Sequence, residues 1–96
     1  SAGVTMVTAL LSLLKGVAVR EDLSMTGELT LTGKVLAIGG LKEKLIAARR
    51  SKQKILIFPK DNQRDYDELP AYLKKGLAVH FVQNYEDIYH VAFPHD

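Results

Sequence analysis

The 96-residue chain contains no cysteine. That excludes a disulfide scaffold and a thiolate metal site, and it suits a reducing compartment. An excess of one charge is lacking too: 13 basic and 11 acidic side chains are interspersed, leaving a net charge of +2. There is no basic stripe to follow a phosphate backbone, so nucleic-acid binding finds no support. The longest apolar run, "VTMVTALLSLL", is interrupted by hydroxyls and closed by Lys15-Gly16. It falls short of the roughly 20 apolar residues that span a bilayer, so no membrane segment is expected. No basic stretch precedes that run, as one would in a signal peptide. His80, His90 and His95 lack H-E-x-x-H spacing, which disfavours a metal site. Repeats, low-complexity stretches and dividing linkers are absent as well, leaving one small domain.

What is present is patterned. Apolar residues make up 47% of the chain, as in an ordinary globular domain. Residues 2 to about 14 read as a helix, with Ser1 as its N-cap and Gly16 just beyond its end. "VAVREDLSM" reads as a connector with some extended character. "ELTLTGKVLAIGG" alternates with period two around Thr32-Gly33, which predicts a hairpin. From Leu41 to about Ser51 the period becomes helical, and "KILIFP" is a buried strand closed by proline. "DNQRDYDELPAYLKKGL" holds one or two short helical turns, "AVHFV" a strand, and "YEDIYHVAF" a last helix stopped by Pro94. The order predicts an α/β fold of α+β type: a small mixed sheet with a hairpin, packed against helices. The first helix is apolar nearly all round and needs cover that about 80 remaining residues barely supply. It is expected to present a bare apolar surface, the chain being part of a larger domain.

"GGLKEKL" places two lysines on one helix, and they are not equivalent. Advancing 100° per residue, Leu41, Leu45 and Ala48 form the apolar stripe. Lys42 lies with Arg49 on one flank. Lys44 falls on the other, among Leu41, Ala47, Ala48 and Ser51, where no neighbour is charged. One account is snorkelling, with the stem on apolar surface and the ammonium in water. The other is a lysine held in low dielectric, where burial without a carboxylate favours the neutral amine. A neutral amine is a competent general base for a hydroxyl nucleophile.

That base needs a hydroxyl. Thr5, Thr8 and Ser12 lie within the first helix, where such groups bond back to the preceding turn. Thr30 fits the outward face of a strand. Ser1 precedes Ala2-Gly3 at a helix start, where amide N–H groups and the helix dipole favour an oxyanion; a plain N-cap is its other reading. Thr26 stands in "MTGE", where Gly27 permits close approach of backbones.

"SAGVTMVTALLSLL", "MTGELTLTGKVLAIGGLKEKLIAARR" and "FPKDNQRDYDELP" resemble the proteolytic domain of the Lon family, ATP-dependent serine proteases, from Ser1 to about Pro94. The resemblance implies that residues 1–96 are the carboxyl-terminal portion of a Lon-type proteolytic domain. It implies a Ser-Lys dyad with Ser1 as nucleophile, Lys44 as base and Thr26 supporting the lysine. It also implies an acyl-enzyme mechanism, unfolded protein or peptide substrates, and a hexameric homo-oligomer in the bacterial cytoplasm or the mitochondrial matrix. ATP and magnesium would belong to a separate ATPase module, since no G-x-x-x-x-G-K-[ST] occurs here and this chain needs no cofactor of its own. The chain departs from the family in lacking the "PKDGP"-like approach to the serine. A base supplied by the α-amine of Ser1 is a formal variant, but Lys44 already fills that role. The alternative function is an inactive fragment that serves only in packing or ring assembly.

Overall fold

The first helix, α1 (Ala2–Lys15), ends where expected. Gly16 takes φ 67°, and the Val17 N–H closes the end on the Ser12 carbonyl at 3.2 Å. The structure, a computed structural model, describes residues 2–94, Ala2 by its backbone alone; Ser1 and His95 lie outside the described residues. The connector holds one short strand, β1 (Leu23–Met25). A hairpin of β2 (Glu28–Leu29) and β3 (Val35–Leu36) follows, in register Glu28 with Leu36 and Leu29 with Val35. Its turn is wider than a Thr32-Gly33 pair alone: the Gly33 N–H reaches the Thr30 carbonyl at 3.0 Å, and the Thr30 N–H reaches the Lys34 carbonyl at 2.9 Å. Thr30 faces this turn rather than a strand surface, accepting the Lys34 N–H on its hydroxyl at 3.0 Å.

Next come α2 (Leu41–Arg50), the strand β4 (Ile55–Pro59) and a 3-10 turn at 60–62. Two short helices, α3 (Gln63–Asp67) and α4 (Ala71–Lys74), lead to β5 (Ala78–Val82), and α5 (Tyr85–Ala92) closes the chain. The fold is mixed helix and strand, with the strands in two groups. β1, β4 and β5 form a parallel sheet with β4 central, while β2 and β3 stand apart as the hairpin. The separation has a local cause. Gly27, between β1 and β2, adopts φ 150°, which turns the chain out of the first strand. The hairpin is then tied to the far side of the sheet, because Val35 N–H donates to Gln83 and Tyr85 N–H donates to Gly33, each at 2.8 Å.

β4 is buried at every position, which is why it reads as an unbroken apolar run. Its side chains serve two cores. Leu56 and Phe58 join Leu41, Leu45, Ala48 and Leu73 beneath α2 and α4. Ile57 faces the opposite way, packing with Val4 of α1, Val35, Val82 and Ile88 of α5.

Only one side of α1 enters that second core. Val4 and Thr8 are buried, whereas Met6, Leu10, Leu13 and Leu14 are 61%, 55%, 80% and 83% exposed. These four share one face at helical spacing, the bare apolar surface that the sequence leads one to expect. The buried side is fastened by a polar contact. Thr8 donates back to the Val4 carbonyl at 2.8 Å, and its oxygen lies 2.7 Å from the Tyr85 hydroxyl of α5. Ser12 does not bond back as expected but reaches forward to the Val17 carbonyl at 2.5 Å, inside the helix terminus. No helix is long and apolar enough to cross a membrane among the described residues.

Burial raises the Tyr85 phenol above its ordinary value, against a smaller opposing effect from Thr8, and burial with the Asp67 charge raises that of Tyr66. A raised folded-state pKa favours the protonated form, so this stability is present below about pH 10 and is lost as pH climbs beyond it. Tyr85→Phe should cost about 1 kcal/mol in urea denaturation at neutral pH. It should also shrink the alkaline loss, and an unchanged alkaline slope would contradict the assignment.

Candidate active site

The first turn of α1 and the "MTGE" segment, far apart in the chain, meet in the fold. The Val4 N–H, in the first turn of α1, donates to the Gly27 carbonyl at 3.2 Å. One residue earlier in α1, a side chain at Gly3 would lie 3.1 Å from the Leu29 nitrogen and 3.4 Å from the Glu28 Cα. The first turn of α1 therefore rests directly on the backbone of residues 27–29. Thr26 stands between β1 and Gly27. It is buried, and its N–H donates to the Ile57 carbonyl at 3.1 Å, extending the pairing of β1 with β4.

Lys44 reaches the same region from α2. This helix starts without a side-chain cap, from Gly40 in the left-handed conformation at φ 68°. The Gly40 carbonyl accepts the Lys44 N–H at 3.1 Å, so the lysine sits one turn into the helix. Leu41, Leu45 and Ala48 are buried as the helical period predicts, and the two lysines part: Lys42 is exposed and Lys44 half-buried. Lys44 lines a cleft of about 240 Å³ with Glu28, Ala37, Ile38 and Gly39. Glu28 is thus common to both sides, touching the first turn of α1 through its backbone and walling the lysine cleft. No hydrogen bond joins the Thr26 hydroxyl to the Lys44 ammonium among the described residues, and the nucleophile candidate Ser1 lies outside them.

The residues lining the cleft beside Lys44 are not singled out by the sequence reading. Glu28 belongs to the quoted "MTGE" but carries no pattern of its own. Ile38 and Gly39 read as the end of a strand and a turn, and Ile38 proves to be held from outside the hairpin. The side-chain oxygen of Asn62 accepts the Ile38 N–H at 2.9 Å, and its amide donates to the Ile38 carbonyl at 2.8 Å. Chemically, the region offers a half-buried lysine in a cleft walled by Glu28, and a helix first turn resting on the Glu28 backbone. No group of three or more His, Asp or Glu side chains that could hold a metal occurs among the described residues.

The comparisons agree on a family. The model of the Lon protease (S16) C-terminal proteolytic domain matches residues 1–95. Over 94 residues the chain is 73% identical to a Lon protease of Chlamydia trachomatis, which covers 98% of this chain and 12% of that protein. It is 62% identical over its whole length to a chloroplastic/mitochondrial Lon protease homolog of Arabidopsis thaliana, covering 10% of that protein. A mitochondrial Lon protease homolog of Drosophila melanogaster is 58% identical over 97% of the chain and 9% of its own length. The chain thus spans about a tenth of the length of the curated relatives it matches.

Gly3 offers a test of the helix–strand contact. Gly→Ala in an ordinary helix interior is stabilising by about 1 kcal/mol. Here the added methyl would press on backbone atoms of Glu28 and Leu29. The sign should reverse, to a destabilisation of about 1–3 kcal/mol in chemical denaturation. A stabilised Gly3→Ala variant would contradict the close packing described.

Proposed function

Since this chain belongs to the Lon protease C-terminal proteolytic domain family, we propose that it carries the hydrolytic centre of an ATP-dependent serine endopeptidase. The reaction is cleavage of peptide bonds in unfolded or damaged proteins. Ser1 Oγ attacks the scissile carbonyl, while the neutral amine of Lys44 takes the hydroxyl proton. The tetrahedral intermediate collapses to an acyl ester on Ser1 as Lys44 returns the proton to the departing amine. Water, deprotonated by the same amine, then releases the acid and restores the serine. Thr26 is assigned to support the lysine amine through its hydroxyl, a contact the described structure does not itself make. The Val4 N–H is already committed to Gly27, so the oxyanion falls to N–H groups nearer Ser1, aided by the α1 dipole.

The observation that supports this reading most is the half-burial of Lys44 in a cleft that shares Glu28 with the α1 first turn, while Lys42 stands in solvent. ATP and magnesium would act in another module of the protein, and no step here is routed through them. Assembly into a hexameric ring, in the bacterial cytoplasm or the mitochondrial matrix, is part of the same proposal. The second reading is a packing or ring-assembly module without turnover. What favours it is the exposed face of Met6, Leu10, Leu13 and Leu14.

Hydrolysis of an unfolded protein or a fluorogenic peptide by the full-length protein separates the two. Ser1→Ala and Lys44→Ala should each lower kcat by roughly 100-fold or more, and Lys42→Ala should leave it unchanged. Full activity in Lys44→Ala would remove lysine as the base. Absence of turnover, together with no labelling of Ser1 by an acylating inhibitor, would leave the packing reading.

A further inference from the structure

We propose that Asn62 is a positioning residue for the substrate cleft. Its side chain holds the main chain of Ile38 in place as one wall of the space beside Lys44. The inference rests on the reading of that cleft as the hydrolytic centre.

Asn62 is a polar residue buried to 1% exposure, in the 3-10 turn that follows β4. Burial of an amide is costly unless each polar atom finds a partner. Here the partners are specific. The oxygen takes the Ile38 N–H and the amide nitrogen gives to the Ile38 carbonyl, at 2.9 and 2.8 Å. A weaker contact from the same nitrogen to Asp65 Oδ2, at 3.4 Å, holds the amide in this orientation. Both main-chain groups of one residue are thus matched by a single side chain, as a neighbouring strand would match them.

The residue so gripped needs an external hold. β3 ends at Leu36, and α2 begins only at Leu41 from the left-handed Gly40. Ala37, Ile38 and Gly39 therefore belong to neither element, yet all three line the Lys44 cleft. Two glycines follow Ile38, so little intrinsic stiffness keeps this wall in one position. Asn62 supplies the missing constraint, and it does so from the end of β4, the most deeply buried strand. It neither lines the cleft nor stands among the groups assigned to proton transfer, so it acts through the wall. Loss of the grip should weaken binding of a substrate that fills the cleft more than it slows chemistry at the nucleophile.

The experiment compares Asn62→Ala and Asn62→Asp with the parent in the full-length protein, on an extended fluorogenic peptide and on a small activated ester. The ester needs nucleophile and base but little of the wall. Asn62→Asp keeps the volume and the acceptor for Ile38 N–H while losing the donor, and it serves if Asn62→Ala does not fold. For the peptide, kcat/KM should fall by roughly tenfold or more, chiefly through KM, while ester acylation changes by less than about threefold. Thermal unfolding should stay cooperative in the variant used. Equal losses on peptide and ester, or an unchanged peptide kcat/KM in a folded variant, would overturn the proposal. Lys44→Ala is run in parallel. If it leaves both activities intact, the hydrolytic reading fails, whatever Asn62 does to the peptide-to-ester ratio.

Discussion

At Gly27 three parts of the molecule approach to van der Waals distance. A methyl group there would lie 2.8 Å from Val35 Cγ1, 3.5 Å from Pro59 Cγ and 3.6 Å from Val4 Cγ1. The hairpin, the end of β4 and the first turn of α1 therefore converge on one position with no side chain. The backbone at that position, at φ 150°, is in a region that other residues rarely adopt. Its carbonyl simultaneously accepts the Val4 N–H. Bring any of these three elements further away and the α1 first turn no longer rests on Glu28, which also walls the lysine cleft. The site depends first on a close packing of backbones and only then on its ionisable groups.

Much of this was legible before any coordinates. The α2 stripe of Leu41, Leu45 and Ala48 follows from period alone, and the same period separates Lys44 from Lys42. β4 announces itself because it is covered on both faces and needs no polar alternation. β1 is less visible. Its three residues, Leu23–Met25, are too few to alternate, and their strand character comes from pairing with Ile55–Ile57. Tertiary pairing decided that segment, not local propensity. Asn62 was opaque for a related reason: in "PKDNQRD" it reads as loop chemistry, and only the fold shows that its amide faces Ile38. Nor does the pattern around Thr30 or Ser12 reveal that each hydroxyl serves a chain reversal.

The cleft beside Lys44 is assembled from pieces with different degrees of internal support. Lys44 is carried by a helix with a buried face, and Glu28 by a strand paired to Leu36. The wall from Ala37 to Gly39 has no ladder of its own and borrows its order from the turn after β4. On the proposed reading, rigid elements carry the ionisable groups, while the part that would meet a substrate's shape is held by a side chain from elsewhere. Such a division lets the wall vary while the lysine stays in place.

The parallel pairing of Leu23 with Ile55, and of Ile55 with Ala78, has a consequence for how the chain reaches this state. Parallel neighbours cannot be joined by a tight turn, so each pairing closes a long loop before any ladder bond rewards it. The hairpin and α2 lie within the first of those loops and consist of local contacts. Assembly of the sheet is thus the high-contact-order step, and β4, the strand on which both cores are built, takes part in both of its pairings. Until β4 is seated, Thr26 has no Ile57 carbonyl to bind and Asn62 is not yet set opposite Ile38. Formation of the cleft is therefore coupled to the slowest closure in the topology.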